Sequence, residues 1–340
     1  MAYIPWQTTA PGGGAGPAAE GGGTVCVIGA RGIGRHHANW WRLAGIEVKA
    51  FAGTSAESNA ATAAGLEKLL GFVPRAYTDV PAMLAAELPA FVDVCSPPAL
   101  HAAHVTAALE AGAHVLCEKP FVYEEGRAHA DLLAAARGLV GLAAACGRRL
   151  GLCSQYAVAA ESCLCGLRKF RPGEALVDCA AELASPARGR GPDALATWID
   201  LGPHLLAALQ ALASGGKMAA GTLRTDRAGD RLQCTFTLER PDAPPLACRL
   251  CTFRTGEGAA HVRRLVLNGV PFDLEGERGA DGVYGARIVS PLGEWREEDS
   301  MRVLIRRMAA GHPPLDGDAA LRNLEWLLAV AASAAGEGGE

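Results

Sequence analysis

A lysine set between an acid and a proline (Glu118-Lys119-Pro120), and an aspartate and a histidine four residues apart (Asp200 and His204), are side chains of types that can move a proton. A carbonyl that gains a hydride needs a proton on its oxygen, and the reverse reaction needs a base for a hydroxyl proton. Histidine titrates closest to neutral pH. If one helix carries Asp200 and His204 they share a face, and the carboxylate can orient the imidazole. Pro203 between them fits best in a first helical turn. Taken singly, each residue has a plainer reading: a solvated loop lysine, a packed histidine, a helix-capping aspartate.

A second group suits phosphate rather than protons. Gly29, Gly32 and Gly34 lie between the apolar run Val25–Ile28 and a helical stretch to Leu43, with Arg31 and Ile33 in the same turn. Gly29 and Gly34 have the spacing of the outer glycines of the dinucleotide fingerprint G-x-G-x-x-G. Arg31 occupies the central place, where glycine lets backbone approach a pyrophosphate resting on the helix N-terminus. The next strand ends in Ala52-Gly53-Thr54-Ser55, without the acid that usually holds the ribose hydroxyls. Small hydroxyls there can donate to a 2'-phosphate, so this charge logic leans to NADP over NAD, although Thr54 or Ser55 can equally cap the following helix.

These groups need rigid elements to hold them. From Thr24 the chain alternates strand and helix: strands at Val25–Ile28, Glu47–Ala52, near Tyr77, Phe91–Cys95, His114–Cys117 and Leu150–Cys153, with helices from Ser55, over Val80–Glu87, from Leu100 to Gly112, and over about Glu124–Arg137. That rhythm implies right-handed crossovers and a doubly wound parallel sheet over 24–153. The second half differs. Leu232, Cys234, Phe236 and Leu238 alternate with polar residues, further strands follow at Leu246–Phe253, Val262–Leu267 and Val270–Leu274, and Asn268-Gly269 reads as a hairpin turn. Helices are expected at about 204–213, 300–310 and 319–335. The expectation is α/β overall: an N-terminal Rossmann sheet followed by an α+β domain around a mainly antiparallel sheet over 154–335, with a Gly/Ala/Pro-rich leader at 1–23 and a tail at 336–340.

The order of the motifs resembles the Gfo/Idh/MocA family of nicotinamide-dependent oxidoreductases. The resemblance is carried by the glycine loop with His37 after it, by Cys95-Ser96-Pro97-Pro98-Ala99-Leu100-His101, by Glu118-Lys119-Pro120 after the fifth strand, and by Asp200-Leu201-Gly202-Pro203-His204. It implies that Lys119, Asp200 and His204 meet beside the nicotinamide from opposite domains, His204 as general acid/base, Lys119 polarising the substrate oxygen and Asp200 orienting. It implies that Gly29, Arg31, Gly32, Ile33, Gly34, Thr54, Ser55, Ser96, Pro97, His101, Glu118 and Lys119 line the cofactor. The implied substrate is a sugar, polyol or related hydroxy compound, and the implied assembly a homodimer or homotetramer. A non-catalytic nucleotide sensor or scaffold on the same fold, reduction of an imine or another non-sugar compound, and NAD-dependent glycoside cleavage are the rival readings. Departures from the family pattern are Arg31, Pro98 where Asn is frequent, Ala207 where a second Asp is frequent, and the loop Ser185–Ala196 with Arg188 and Arg190, which lacks the usual glycine pair.

Composition narrows the partners. Half of the residues are hydrophobic and a fifth are charged, which suits buried cores. The net charge of -4, from 32 basic and 36 acidic residues, offers no field for a phosphate backbone, so nucleic acid is not expected. No apolar run approaches the roughly 20 residues a membrane helix requires, and the start of the chain has no secretion signal, so a reducing cytoplasm is the expected compartment. The eleven cysteines read mostly as small buried side chains, and the pairs Cys163/Cys165 and Cys248/Cys251 lack the second pair a metal site would need, so no metal is expected.

Overall fold

A computed structural model describes residues 23–278 and 284–336; the expected leader and tail fall, apart from Gly23 and Gly336, outside the described residues. The first half alternates as its apolar runs require. It comprises β1 (Thr24–Ile28), α1 (Gly34–Leu43), β2 (Glu47–Ala52), α2 (Ala56–Leu70), β3 (Arg75–Tyr77), α3 (Val80–Glu87), β4 (Phe91–Val94), α4 (His101–Glu110), β5 (His114–Cys117), α5 (His129–Ala145) and β6 (Leu150–Leu152). The strands form one six-stranded parallel sheet in the order β3-β2-β1-β4-β5-β6. Strand order reverses between β1 and β4, and ligands of such sheets bind outside the carboxyl ends at that point. The central strands β1, β4 and β5 are buried on both faces, which is why they read as nearly unbroken apolar stretches. Helix α5 starts five residues later than about Glu124, because Gly126 (φ 77°) holds a turn there, and it then runs on to Ala145.

The second half begins with α6 (Gln155–Phe170), β7 (Asp178–Pro186) and α7 (Ala194–Leu212), followed by β8 (Lys217–Met218), β9 (Arg224–Ala228), β10 (Arg231–Arg240) and β11 (Ala243–Thr255). Then come β12 (Val262–Leu267), β13 (Val270–Arg278), β14 (Tyr284–Ser290), β15 (Gly293–Glu298), α8 (Ser300–Ala309) and α9 (Gly317–Ala335). Strands β7 to β15 make a nine-stranded sheet, antiparallel except for the pair β7–β11. The alternation expected in β10 is present: Leu232, Cys234, Phe236 and Leu238 are buried and their neighbours are not. Asn268 (φ 47°) and Gly269 (φ 77°) both adopt left-handed backbone, the requirement of a two-residue hairpin turn.

The closing helices return to the first half. α8 lies against α1, and its Met301, Leu304, Ile305 and Met308 join a core with Val25, Trp41 and Phe51. α9 packs on α5 and β6 as well as on α7, and Leu152 N–H donates to the Leu315 carbonyl at 2.9 Å. Among the described residues, no helix is long and apolar enough to cross a membrane.

Helix α7 starts ten residues before the expected 204, with Asp193 as its cap (carboxylate accepting from Ala196 N–H, 2.9 Å), and it accommodates Pro203 in its interior. Burial explains the tolerance. Trp198 is fully buried, donates its indole N–H to the Leu327 carbonyl at 3.0 Å, and lies over Gly202, while Asn323 donates to the Pro203 carbonyl at 3.0 Å. A Cβ on Gly202 would come within 2.8 Å of the Trp198 ring. Gly202→Ala is therefore expected to cost about 1–3 kcal/mol through overpacking, read as a lower midpoint in urea denaturation with an unchanged slope.

Candidate active site

The carboxyl ends of β1, β4 and β5 and one face of α7 enclose a cavity of about 880 Å3. Ile33, Ser96, Glu118, Lys119, Asp200 and His204 all line it. The structure thus brings the three expected proton-handling residues together, from both halves of the molecule. Lys119 Nζ donates to Asp200 Oδ1 at 2.9 Å and to the Asp200 carbonyl at 2.8 Å. Asp200 also accepts from Arg254 at 2.7 Å and Arg190 at 3.1 Å through its other oxygen. Burial pushes the Asp200 carboxyl upward, but Lys119 and Arg254 outweigh it and hold it well below the usual carboxylate range. Arg190 belongs to the loop flagged as departing from the family pattern. Arg254, only 5 % exposed at the end of β11, carried no sign of a site role, because a charged residue near a strand end reads as solvated.

Asp200 and His204 share one face of α7 as their spacing requires. His204 Nδ1 is 2.9 Å from Ser154 Oγ, and its ring packs against Tyr156 with 5.0 Å between centroids. Burial, then the nearby Lys119 ammonium, pull the imidazole down to about 3, so it is neutral at physiological pH. Ser154 and Tyr156 sit at the junction between the halves, and no motif marks them.

The cofactor-side residues fall into three groups. Gly29 (φ 89°) backs onto the chain at Cys95–Ser96, and a Cβ on Gly34 would overlap the Gly29 carbonyl, so both glycines are required by close packing. Gly32 faces open space, Arg31 and Ile33 are exposed beside it, and α1 begins with no side chain capping it, leaving N–H groups available to an anion. This turn fits the pyrophosphate of a dinucleotide even with Arg31 at the central place. Thr54 and Ser55 stand exposed beyond β2. Ser55 caps α2 by accepting from Ser58 N–H at 3.1 Å, and Thr54 Oγ1 is 3.3 Å from Ser58 Oγ.

The third group anchors the loops. His101 is fully buried, with its nitrogens 2.8 Å from the Ser96 carbonyl and 2.9 Å from the Pro120 carbonyl, so it ties the loops after β4 and β5 together instead of presenting a ring to the cavity. Ser96 Oγ is 2.9 Å from His104 Nδ1, and exposed Pro97 opens the short turn Pro98–Leu100. His37 is a second buried anchor. Its nitrogens are 2.9 Å from Asp93 and 3.1 Å from Glu118, Cys95 and Cys153 lie beside the ring, and Trp41 donates to Asp93 at 2.6 Å. Burial disfavours charge on His37, yet Cys95, Asp93 and Cys153 more than offset it and raise the imidazole well above its ordinary value. Burial likewise pushes Glu118 upward, but His37 and then Lys119 bring it to about 2. Two sets of ligand-type atoms, His37/Asp93/Cys95 and His37/Glu118/Cys153, come within reach of a single ion, but both imidazole nitrogens are already engaged by carboxylates.

Residues 24–143 match the profile of a family described as an oxidoreductase family with an NAD-binding Rossmann fold, GFO_IDH_MocA. The chain is 34 % identical over 119 residues to D-apiose dehydrogenase of Paraburkholderia graminis, covering 34 % of this chain and 30 % of that protein. It is 54 % identical over 44 residues to D-glucoside 3-dehydrogenase of Escherichia coli, covering 13 % and 12 %. The aligned stretches therefore span less than a third of either curated relative. Among solved structures, UDP-N-acetylglucosamine 3-dehydrogenase GnnA from Acidithiobacillus ferrooxidans superposes with a TM-score of 0.69 at 22 % identity, over 93 % of this chain and 98 % of that one. An inositol dehydrogenase homologue from Azotobacter vinelandii, complexed with NADH and myo-inositol, gives 0.69 at 18 % identity, over 95 % and 97 %. These structures share the fold.

The depressed imidazole makes a stability prediction. Between the unfolded value near 6.5 and the folded value near 3, the unfolded chain binds a proton at His204 that the native state refuses, so acidification destabilises the native state. Relative to His204→Asn, the wild-type chain is expected to lose up to about 1.4 kcal/mol per pH unit across that window. Denaturant titrations at a series of pH values would show parallel curves if the histidine were titrating normally.

Proposed function

We propose that this chain, whose N-terminal domain belongs to the Gfo/Idh/MocA family of NAD-binding oxidoreductases, is a nicotinamide-dependent dehydrogenase that moves a hydride between the cofactor and a CH–OH carbon of a sugar-like small molecule. The observation that carries the reading is the meeting of Lys119 with Asp200, at 2.9 Å, in a cavity that His204 also lines, next to a glycine turn fit for a dinucleotide. D-apiose dehydrogenase and the inositol dehydrogenase homologue lend support to the substrate class.

The cofactor, when bound, supplies the two-electron acceptor or donor; the remaining work falls to the chain. Neutral His204 is in the form needed to take a hydroxyl proton during oxidation, and Ser154 fixes its ring. Lys119 is placed to donate a hydrogen bond to the substrate oxygen and stabilise developing alkoxide charge. Asp200, held by Arg190 and Arg254, fixes the direction of the ammonium. Ile33 and Trp40 supply apolar wall that keeps water from the reacting atoms. In the reduction direction the same proton returns from the imidazole to the oxygen.

Cofactor choice leans to NADP, because no carboxylate follows β2 within Gly53-Thr54-Ser55 to repel a 2'-phosphate, and the exposed Thr54 hydroxyl can turn from Ser58 to meet one. The reading includes a homodimer or homotetramer, for which light scattering should give two or four times 35.1 kDa.

Titration with NADH and NADPH is expected to enhance and blue-shift nicotinamide fluorescence, with NADPH binding more tightly; Thr54→Asp should weaken NADPH by about tenfold and leave NADH nearly unchanged, by repulsion worth about 1.4 kcal/mol. Lys119→Met should lower kcat/KM on a sugar panel by about a hundredfold or more while cofactor affinity stays within about threefold. Cofactor binding without turnover of any hydroxy compound would instead favour a nucleotide sensor.

A further inference from the structure

Resting on the dehydrogenase reading, we infer that the substrate is an anionic hydroxy compound, whose carboxylate or phosphate is taken by Arg263 and Arg188 on the cavity wall formed by the nine-stranded sheet.

The charges inside the cavity are largely matched. Asp200 meets Lys119, Arg190 and Arg254, and Glu118 meets His37. Two guanidinium groups lining the same cavity are not matched: among the described residues, no carboxylate lies within ion-pair distance of Arg263 or Arg188. Arg263, on β12, acts electrostatically on the buried Tyr156 hydroxyl, and the Tyr156 ring packs on His204. Its charge therefore stands close to the proposed proton acceptor, where it acts electrostatically on the His204 ring.

Arg188 arrives by a different device. Arg190 N–H donates to the Ala187 carbonyl at 3.1 Å, closing a tight turn whose central residues, Arg188 (φ 51°) and Gly189 (φ 75°), are both left-handed. A non-glycine residue is strained in that backbone, and this turn sends one arginine to Asp200 and the other to the cavity. His261 lines the same cavity, within the field of both arginines. Two further acids line the cavity, Asp193 and Glu125: both act on Tyr123, and the Asp193 carboxylate is occupied in capping α7. Cations without a carboxylate partner thus stand near His204, as Arg263, and elsewhere on the same cavity lining, as Arg188. Guanidinium forks bind carboxylate and phosphate oxygens in pairs of parallel hydrogen bonds, whereas a neutral polyol leaves both without counter-charge.

The test is calorimetric titration of the full chain, with and without NADPH, using D-glucuronate, D-glucose 6-phosphate and D-glucose at low ionic strength. At least one anion is expected to bind about tenfold or more tightly than glucose, and the two arms distinguish carboxylate from phosphate. Arg263→Met and Arg188→Met should each reduce that preference, and the double variant should bring it within about threefold, with NADPH affinity unchanged as the control for folding. Arg263→Lys should restore part of it. Equal binding of glucose and both anions, no binding of either anion, or a preference that survives the double variant would overturn the inference. Absence of NADPH binding with anion preference intact would sink the dehydrogenase reading alone, and turnover of glucose without anion preference would sink the anion inference alone.

Discussion

The ion pair between Lys119 and Asp200 is the interaction on which the geometry of the cavity depends. An ammonium group drawn from one half of the molecule into a mostly desolvated position needs a partner there, because a charge left unpaired away from water costs several kcal/mol. That partner sits on α7, and α7 is itself fixed by the buried Trp198 against α9. Three cations converge on the one carboxylate, so Asp200 cannot rotate without losing bonds from the loop after β5, from β11 and from the loop after β7. The position of Lys119 relative to His204 is thus set by the packing of both sheets.

Two buried imidazoles prepare the other side. His101 joins the carbonyls of Ser96 and Pro120, and His37 joins Asp93 to Glu118, whose carboxylate also accepts from the Lys119 N–H at 3.0 Å. The turn that would receive phosphate, the strand beneath it and the tripeptide carrying the lysine are therefore one hydrogen-bonded unit. Preorganisation of this kind lets polar groups act on a reacting atom without reorienting. It also explains why His37 follows Gly34 so closely: one turn into α1, the ring passes directly under the loop it supports.

Much of the parallel half was legible because doubly buried strands leave unbroken apolar runs and glycines at the turns between them. The order of Gly29, Lys119, Asp200 and His204 was legible for a different reason: motif spacing survives where composition carries little. What stayed hidden was whatever depends on register. Arg254 reaches Asp200 only because β11 runs parallel to β7 with Arg254 opposite Ser185, and Arg263 reaches the cavity only because β12 pairs on the other side of β7. Local sequence reads both as solvated strand arginines. Helix α6 and strand β7 were hard to see because their alanine-rich segments have little polar contrast, and the true start of α7 was masked by Pro203, whose local cost is outweighed by burial of the helix.

The return of α8 and α9 to the first half has a mechanical consequence. The polypeptide passes between the two halves after β6 and again before α8, and α9 then straddles the seam, like a strap buckled at both ends. A single-hinge clamshell motion would have to tear that strap from β6, where Leu152 is bonded to Leu315. Small sliding of packed helices is the motion such a body allows, so access to the cavity is governed at its rim.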